Sequence, residues 1–412
     1  MNYLNNTDLK TVEILKKSEY PSKSTAKEKV TEDLVSLIKE LDLKDNAVVS
    51  FHHHLRNGDK VMNLVMKEIQ NAGLKGITLV ASSLFPVHEE LVPLIQDGTI
   101  QNIVTSYITG GLAKAISNGD LKGHIIMQSH GGRARSIINE EIAIDAAFVA
   151  SPSSDKMGNI SGVNGKNYCG SMGYAIADGI KAKKVIAVTD SLMDYPNYPA
   201  DITEDYVDHV LVVESIGLKE GIVSGTTRVT KDPVGLKIAK DTLKVMEATG
   251  LLKDGVSFQS GAGGISLAVT SYHRDYMIEN NIKGSFASGG ITGYLTDMLE
   301  EGLFESLFDV QCFDLKAIDS LKKNPNHIRM SASQYGNPEV SSVVDNLDIV
   351  ILGATEIDLD FNVNVSTGSD GVLMGGSGGH QDTAAGSKVS IIVSKLFSSR
   401  IPLIKDRVDV IT

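Results

Sequence analysis

The chain repeats itself once, and this limits its folds more than any other feature. Ala47–Phe51 (AVVSF) runs into His52-His53-His54, and Gly255–Phe258 (GVSF) runs into Gln259-Ser260-Gly261, with Phe51 and Phe258 207 residues apart. A helical stretch, a Lys-Gly pair and a strand-like run follow each: LKGITLVASS at 74–83 and IKGSFASGG at 282–290, with Gly76 and Gly284 208 residues apart. GNISG (158–162) matches FNVNVS (361–366), Asn159 lying 203 residues before Asn362, and VIAVTD (185–190) matches SIIVSK (390–395). Four short landmarks in one order at near-constant spacing imply two copies of one plan.

Each copy alternates short β-rich runs with helical ones, the pattern of an open α/β sheet. Strands are expected at Ala47–Phe51, Ile77–Ala81, His124–Gln128, Ala146–Val149, Val185–Val188 and Val210–Val213, then at Val256–Phe258, Ser285–Ala287 and Ile349–Leu352. Most are unbroken apolar runs, as in parallel strands covered on both faces. Helices are expected at Asp59–Ala72, Leu112–Ser117, Pro233–Thr249, Ile265–Asn280 and Leu295–Glu301. The expected architecture is α/β: two tandem, structurally similar open α/β domains with mainly parallel sheets, spanning 1–230 and 231–412. Ligands of such sheets sit beyond the carboxyl ends of the strands. That singles out five turns: His52–Arg56, Ser129–Arg135, Ser260–Gly264, Ser288–Gly290 and Gly375–Asp382.

Charge and composition remove several function classes. With 39 Lys+Arg against 51 Asp+Glu the net charge is −12, which disfavours a nucleic-acid backbone as partner. Trp is absent and aromatics are 5%, so base-stacking platforms are not expected either. No apolar run approaches the roughly 18 residues of a membrane span. Met1–Lys17 is polar and mixed in charge, unlike a secretory leader. Two cysteines, Cys169 and Cys312, make neither a disulfide framework nor a zinc cluster, so a cytoplasmic location is expected.

The glycines are concentrated in turns. Gly261-Ala262-Gly263-Gly264 follows a strand and opens a helix, so its backbone N–H groups can meet an anion. A dinucleotide fingerprint fails there: its third glycine would fall at Ser266, and Ser288-Gly289-Gly290 stands where a ribose-binding acid belongs. No Walker lysine is present, and a plain tight turn is the alternative. Gly375-Gly376-Ser377-Gly378-Gly379-His380-Gln381-Asp382 packs four glycines into five residues, a composition that suits backbone N–H groups lining a site or a flexible linker. His54, Arg56, His130, Arg133 and Arg135 follow first-half strands, and arginines there can clamp carboxylates. Successive residues of an extended segment point to opposite faces, so His52-His53-His54 is not expected to hold a metal. A nucleophile elbow is not expected, and Asp194–Asp208 reads as a solvated acidic face.

Taken together, Tyr335-Gly336-Asn337-Pro338-Glu339-Val340, Asp345-Asn346, Glu356-Ile357-Asp358 and Gly378-Gly379-His380-Gln381-Asp382 resemble the C-terminal half of acyl-CoA transferases and acetyl-CoA hydrolases. More closely, SFHHHLRNGD (50–59), SHGGRARSI (129–137), FQSGAGGISLAV (258–269) and GGSGGHQDTAAGSK (375–388) are similar to the citrate lyase alpha subunit family. The resemblance covers nearly the whole chain. It implies a cytoplasmic homo-oligomer working with a lyase (beta) subunit and an acyl-carrier (gamma) subunit. The implied reaction exchanges acetate for citrate on a carrier or CoA thioester, with no cofactor tightly bound to this chain. It further implies backbone donors at Gly261, Ala262, Gly263, Gly264, Gly378 and Gly379. Citrate contacts are expected from His54, Arg56, His130, Arg133, Arg135, Ser288, Gly289 and Gly290, and pantetheine or CoA contacts from Gly375, Gly376, Ser377, His380 and Asp382.

Two departures stand out. Transferases of the glutamyl type carry His-Thr-Glu where this chain reads Phe286-Ala287-Ser288, so the acid that would hold CoA covalently is missing. Citrate is therefore expected to attack the acetyl thioester itself in a ternary complex, through a mixed anhydride. The second half also reaches the strand matching Val207–Val213 only at Val408–Thr412, which suggests a truncated C-terminus. The rival readings are another CoA-transferase, an acetyl-CoA hydrolase, a citramalate lyase alpha subunit, and a non-catalytic carrier-binding scaffold.

Overall fold

A computed structural model describes residues 29–223, 228–261, 263–398 and 401–410. Among the described residues, the first half carries eleven strands: β1 (Val30–Thr31), β2 (Val48–Phe51), β3 (Ile77–Ala81), β4 (Ile100–Thr105), β5 (Ile125–Met127), β6 (Ala146–Ser151), β7 (Ser153–Asp155), β8 (Ile160–Ser161), β9 (Val185–Thr189), β10 (Leu192–Met193) and β11 (His209–Val212). The second half begins with β12 (Phe258–Ser260), β13 (Gly284–Ile291), β14 (Phe304–Cys312), β15 (His327–Arg329) and β16 (Ile349–Gly353). It continues with β17 (Glu356–Asp358), β18 (Val363–Asn364), β19 (Val389–Val393), β20 (Phe397–Ser398), β21 (Ile401–Pro402) and β22 (Ile404–Lys405).

The two large sheets are wholly parallel and share one order. The first reads β5-β4-β3-β2-β6-β9-β11-β1, and the second reads β15-β14-β13-β12-β16-β19. Strand for strand, β2 to β6 and β9 correspond to β12 to β16 and β19. The short excursions repeat too. Asp155 Oδ1 accepts the N–H groups of Met157, Gly158 and Asn159, while Asp358 Oδ1 accepts those of Asp360 and Asn362. Asn159 and Asn362 each donate Nδ2–H to the other oxygen of that aspartate, at 2.9 and 3.0 Å. The polar landmark that marked the repeat is thus the lock of an antiparallel hairpin, β7–β8 in one half and β17–β18 in the other.

Local chemistry explains the element ends. Asp232 caps the helix Pro233–Ala248 by accepting from Gly235 N–H, with Pro at the first helical position. The apolar runs are buried as expected: β6 and β9 are covered throughout, and Phe51 stacks on Phe148 at 5.8 Å between centroids.

Three expectations need correcting. Val408 does not begin a sheet strand: its N–H binds Asp358 Oδ2 as Asn197 N–H binds Asp155 Oδ2, and Val408 to Val410 form no strand. Ile411 and Thr412, like Met1–Lys17, lie outside the described residues. The acidic stretch is not uniformly solvated, because the Asp201 side chain is 1% exposed and pairs with Arg329 at 3.5 Å. Ser129–Arg135 is not a turn but the start of a helix, His130–Ile138, capped by Ser129. Among the described residues, no helix is long and apolar enough to cross a membrane.

Candidate active site

The carboxyl ends of the two sheets open onto one cavity of about 290 Å³. From the first half come His53 after β2, Ser83 and Phe85 after β3, Tyr107 after β4 and His130 after β5, with Arg56 and Tyr174. From the second half come Gln259 to Gly261 and Gly263 around the end of β12, Gly290 on β13, Gln311 and Phe313 on and after β14, and Gly376 to His380. Each of the five turns singled out from the sequence contributes to this wall.

The first-half wall is made of rings. His130 lies 4.2 Å from Tyr174 and 5.8 Å from His53, and His53 lies 4.7 Å from Tyr174, centroid to centroid. Burial keeps these histidines neutral: it holds His130 at about 3 and drives His53 well below the ordinary histidine value. Burial lowers His380 as well, against its hydrogen bond to Ser377. Among the described lining residues, Arg56 is the only arginine or lysine, and no carboxylate is present. Its guanidinium lies 5.4 Å from the Phe85 ring and 4.8 Å from the Phe313 ring, one from each half. Arg56 has φ +51°, a conformation uncommon outside glycine and of the kind held at functional positions.

The second-half wall holds all of the lining glycines. A Cβ on Gly376 would sit 2.2 Å from the Ser106 carbonyl oxygen, and one on Gly379 would sit 2.2 Å from the Tyr335 hydroxyl. Gly378 adopts φ +55°. Behind the turn, Gln259 Nε2–H donates to the Tyr335 hydroxyl at 2.8 Å, and Ser288 Oγ–H donates to Gln259 Oε1 at 3.0 Å. Gln311 Nε2–H donates to the His53 carbonyl at 3.1 Å, tying one wall to the other.

Several expected contacts are not brought to the cavity. Arg133 is buried in a two-pronged pair with Asp178, at 2.9 and 2.6 Å. Arg135 faces outward to Glu141 and Glu339. The reason is the helix, where residues two apart diverge by about 200°. His54 sits behind His53, with His52 Nδ1 at 2.6 Å from its own Nδ1 and the Tyr174 N–H pointing at its Nε2. Ser288 and Gly289 back Gln259 rather than face the cavity. Gly375 packs near the Tyr107 ring, and Asp382 binds Ser129 and Gly131. Two of the expected backbone donors are spent inside the protein: Gly261 N–H on Ile351 and Gly378 N–H on Ser106. Gly264 starts the helix Gly264–Glu279 behind Gly263, which has no side chain to cap it, and Ala262 lies outside the described residues. Tyr107, Phe85 and Tyr174 were not foreseen as lining residues, nor were Gln311 and Phe313, because β14 went unrecognised.

Facing duplicated sheets around a shared cavity define a two-lobed α/β enzyme. The fold is that of the malonate decarboxylase alpha subunit from Acinetobacter baumannii, with TM-score 0.70 at 15% identity over 92% of this chain and 74% of that one. The family model "Citrate lyase, alpha subunit (CitF)" matches residues 27–412. The citrate lyase alpha chains of Klebsiella pneumoniae and Escherichia coli are 44% and 45% identical, over 92% and 95% of this chain and 75% and 77% of theirs. A crystal structure of the citrate lyase alpha subunit from Streptococcus mutans, solved in complex with citrate, aligns with TM-score 0.91 at 46% identity, over 94% of this chain and 76% of that one. The chain belongs to the citrate lyase alpha subunit family, the transferase component of a multi-subunit enzyme.

Proposed function

We propose that this cavity exchanges acetate for citrate on the thioester of an acyl carrier protein or of CoA. The observation that carries the reading is the lining itself: one arginine, neutral imidazoles, a glycine-built wall and, among the described residues, no carboxylate to act as nucleophile.

Arg56 is the group suited to a citrate carboxylate, because guanidinium matches carboxylate geometry. A citrate carboxylate oxygen attacks the acetyl carbonyl and forms a tetrahedral oxyanion. Backbone N–H groups of the Gly263–Gly264 helix start and of Gly376 and Gly379 are the donors proposed for that oxygen. The C–S bond then breaks, releasing thiolate and leaving an acetyl–citryl anhydride. The thiolate attacks the citryl carbonyl, and acetate departs with the remaining oxygen. Carboxylate is a weak nucleophile, so positioning in a closed cavity supplies much of the rate. Phe85, Phe313 and Tyr174 keep water away from the anhydride. No cofactor is required beyond the carrier arm, and the lyase and carrier subunits are the proposed partners.

The test is direct. Acetyl-CoA and citrate are incubated with the protein and the thioesters resolved by mass. Citryl-CoA that forms only when citrate is present supports the reading. Free CoA without citryl-CoA indicates a hydrolase, and no change indicates a scaffold.

A further inference from the structure

The glycine turn of the second half is laced to the first helix turn of the first half. The helix His130–Ile138 begins with three N–H groups that need acceptors. Two are met by the other half: His130 N–H donates to the Gly378 carbonyl at 2.9 Å, and Gly131 N–H donates to Asp382 Oδ2 at 2.9 Å. The third, Gly132 N–H, is met by Ser129 Oγ at 2.9 Å, and the Ser129 hydroxyl donates in turn to Asp382 Oδ1 at 2.5 Å. The seam has no slack. A Cβ on Gly131 would lie 1.7 Å from the Gly336 carbonyl oxygen, and one on Gly336 would lie 2.8 Å from the Asp382 Cβ. Both carboxylate oxygens are used, and the anion sits at a helix start, where the backbone favours it.

We propose that Asp382 is a positioning residue, whose carboxylate grips Ser129 and Gly131 and so fixes His130, the residue between them, against the glycine turn Gly376–Gly379. His130 faces the cavity, while Asp382 does not line it. Asp382 therefore acts through His130 and not on substrate. The inference rests on the reading of the cavity as the transfer site.

Burial pushes the Asp382 carboxyl up to about 6, against its bonds from Ser129 and Gly131. The titratable groups around it are Tyr335, Tyr174, His130 and His380, with Arg133 on the laced helix. The phenols are pushed above their ordinary range and His130 is held at about 3, so neither changes charge near pH 6, where Asp382 does; burial lowers His380 below its ordinary value. Protonation removes the anion that both donors address, and turnover is expected to fall as pH drops through about 6.

The experiment compares Asp382→Asn and the milder Ser129→Ala with the wild type, all as the full chain. Citryl-thioester formation is measured across pH, and backbone hydrogen exchange is followed over 129–134. Asp382→Asn is expected to lower kcat about 100-fold while citrate KM stays within about threefold, since small misplacements cost this much. It is also expected to speed amide exchange at 130 and 131 and to flatten the acid limb. Ser129→Ala should show the same changes, smaller. Variants with wild-type kcat and an intact acid limb overturn the positioning role even if exchange rises. A wild type that forms no citryl thioester overturns the transfer reading instead, so the two failures are told apart.

Discussion

The two walls of the cavity come from one duplicated plan yet differ in composition: the first half supplies the arginine and the second supplies the glycines. The first half offers His53, Arg56, Phe85, Tyr107, His130 and Tyr174, all side chains with rings or charge. The second offers all of the lining glycines, Gly261, Gly263, Gly290, Gly376, Gly378 and Gly379, where backbone meets the cavity, beside side chains such as Gln311, Phe313, Tyr335 and His380. The strand order beneath both is the same. The shared frame therefore carries divergent strand-end loops, one set bearing Arg56 and the other bearing the lining glycines. A transfer between two acyl groups needs both, because the nucleophile must be held while the oxyanion is met by fixed donors.

Perturbing each wall should give different signatures. The largest effect belongs to a residue that lines neither: Arg133→Ala leaves Asp178 buried and unpaired, which costs about 3–5 kcal/mol of stability by denaturant unfolding. Its neighbour Arg135→Ala breaks only exposed pairs and should cost under about 1 kcal/mol, with citrate KM unchanged. On the second wall, Gly376→Ala drives a methyl group into the Ser106 carbonyl, and kcat should fall about 100-fold, the scale of a lost oxyanion donor. On the first wall, Arg56→Lys should raise citrate KM about tenfold with a smaller change in kcat, because the forked donor is lost while the charge is kept. Equal kcat losses from Gly376→Ala and Arg56→Lys, with no KM effect, would dissolve the contrast between the walls.

The smallest effect concerns protons. His53 and His130 are held neutral because burial disfavours their charged forms. A bound citrate anion favours the charged form and raises both. Citrate binding should therefore take up a small fraction of a proton that grows as pH falls below 7, seen in calorimetry as a buffer-dependent enthalpy. The same burial sets a stability trend. His130 and His52 titrate in the fold at about 3 and about 4, below the unfolded value of 6.5, so their contribution to stability is present above pH 6.5 and is lost as pH falls through that window.

Much of this was legible in the sequence. The repeat foretold two similar, mainly parallel sheets, and the rule that ligands meet strand ends selected five segments that each reach the cavity, while the ends of β3, β4 and β14 were missed. What sequence could not show was direction. Ser129–Arg135 reads as a glycine turn with two arginines, but Ser129 caps a helix there, and the helix sends Arg133 to Asp178 and Arg135 to solvent. His53 and His54 are adjacent, and only the folded backbone decides that His53 faces the cavity. β14 was missed because FESLFDVQC mixes charge into a strand whose Asp309 is buried against His327 and Cys312. With β14 went Gln311 and Phe313 at its end. The glycine N–H groups were foreseen as donors, but Gly261 and Gly378 spend theirs on carbonyls that lie far off in sequence.

In the proposed exchange, backbone and bound citrate, rather than an acidic side chain, carry the acyl group across. Intact-protein mass measured after exposure to acetyl-CoA, with borohydride added to trap any enzyme thioester, tests it most directly. The account predicts a protein of unchanged mass, with citryl-CoA appearing once citrate is supplied. A glutamate of the second half reduced to its alcohol, with CoA released as free thiol, would contradict it.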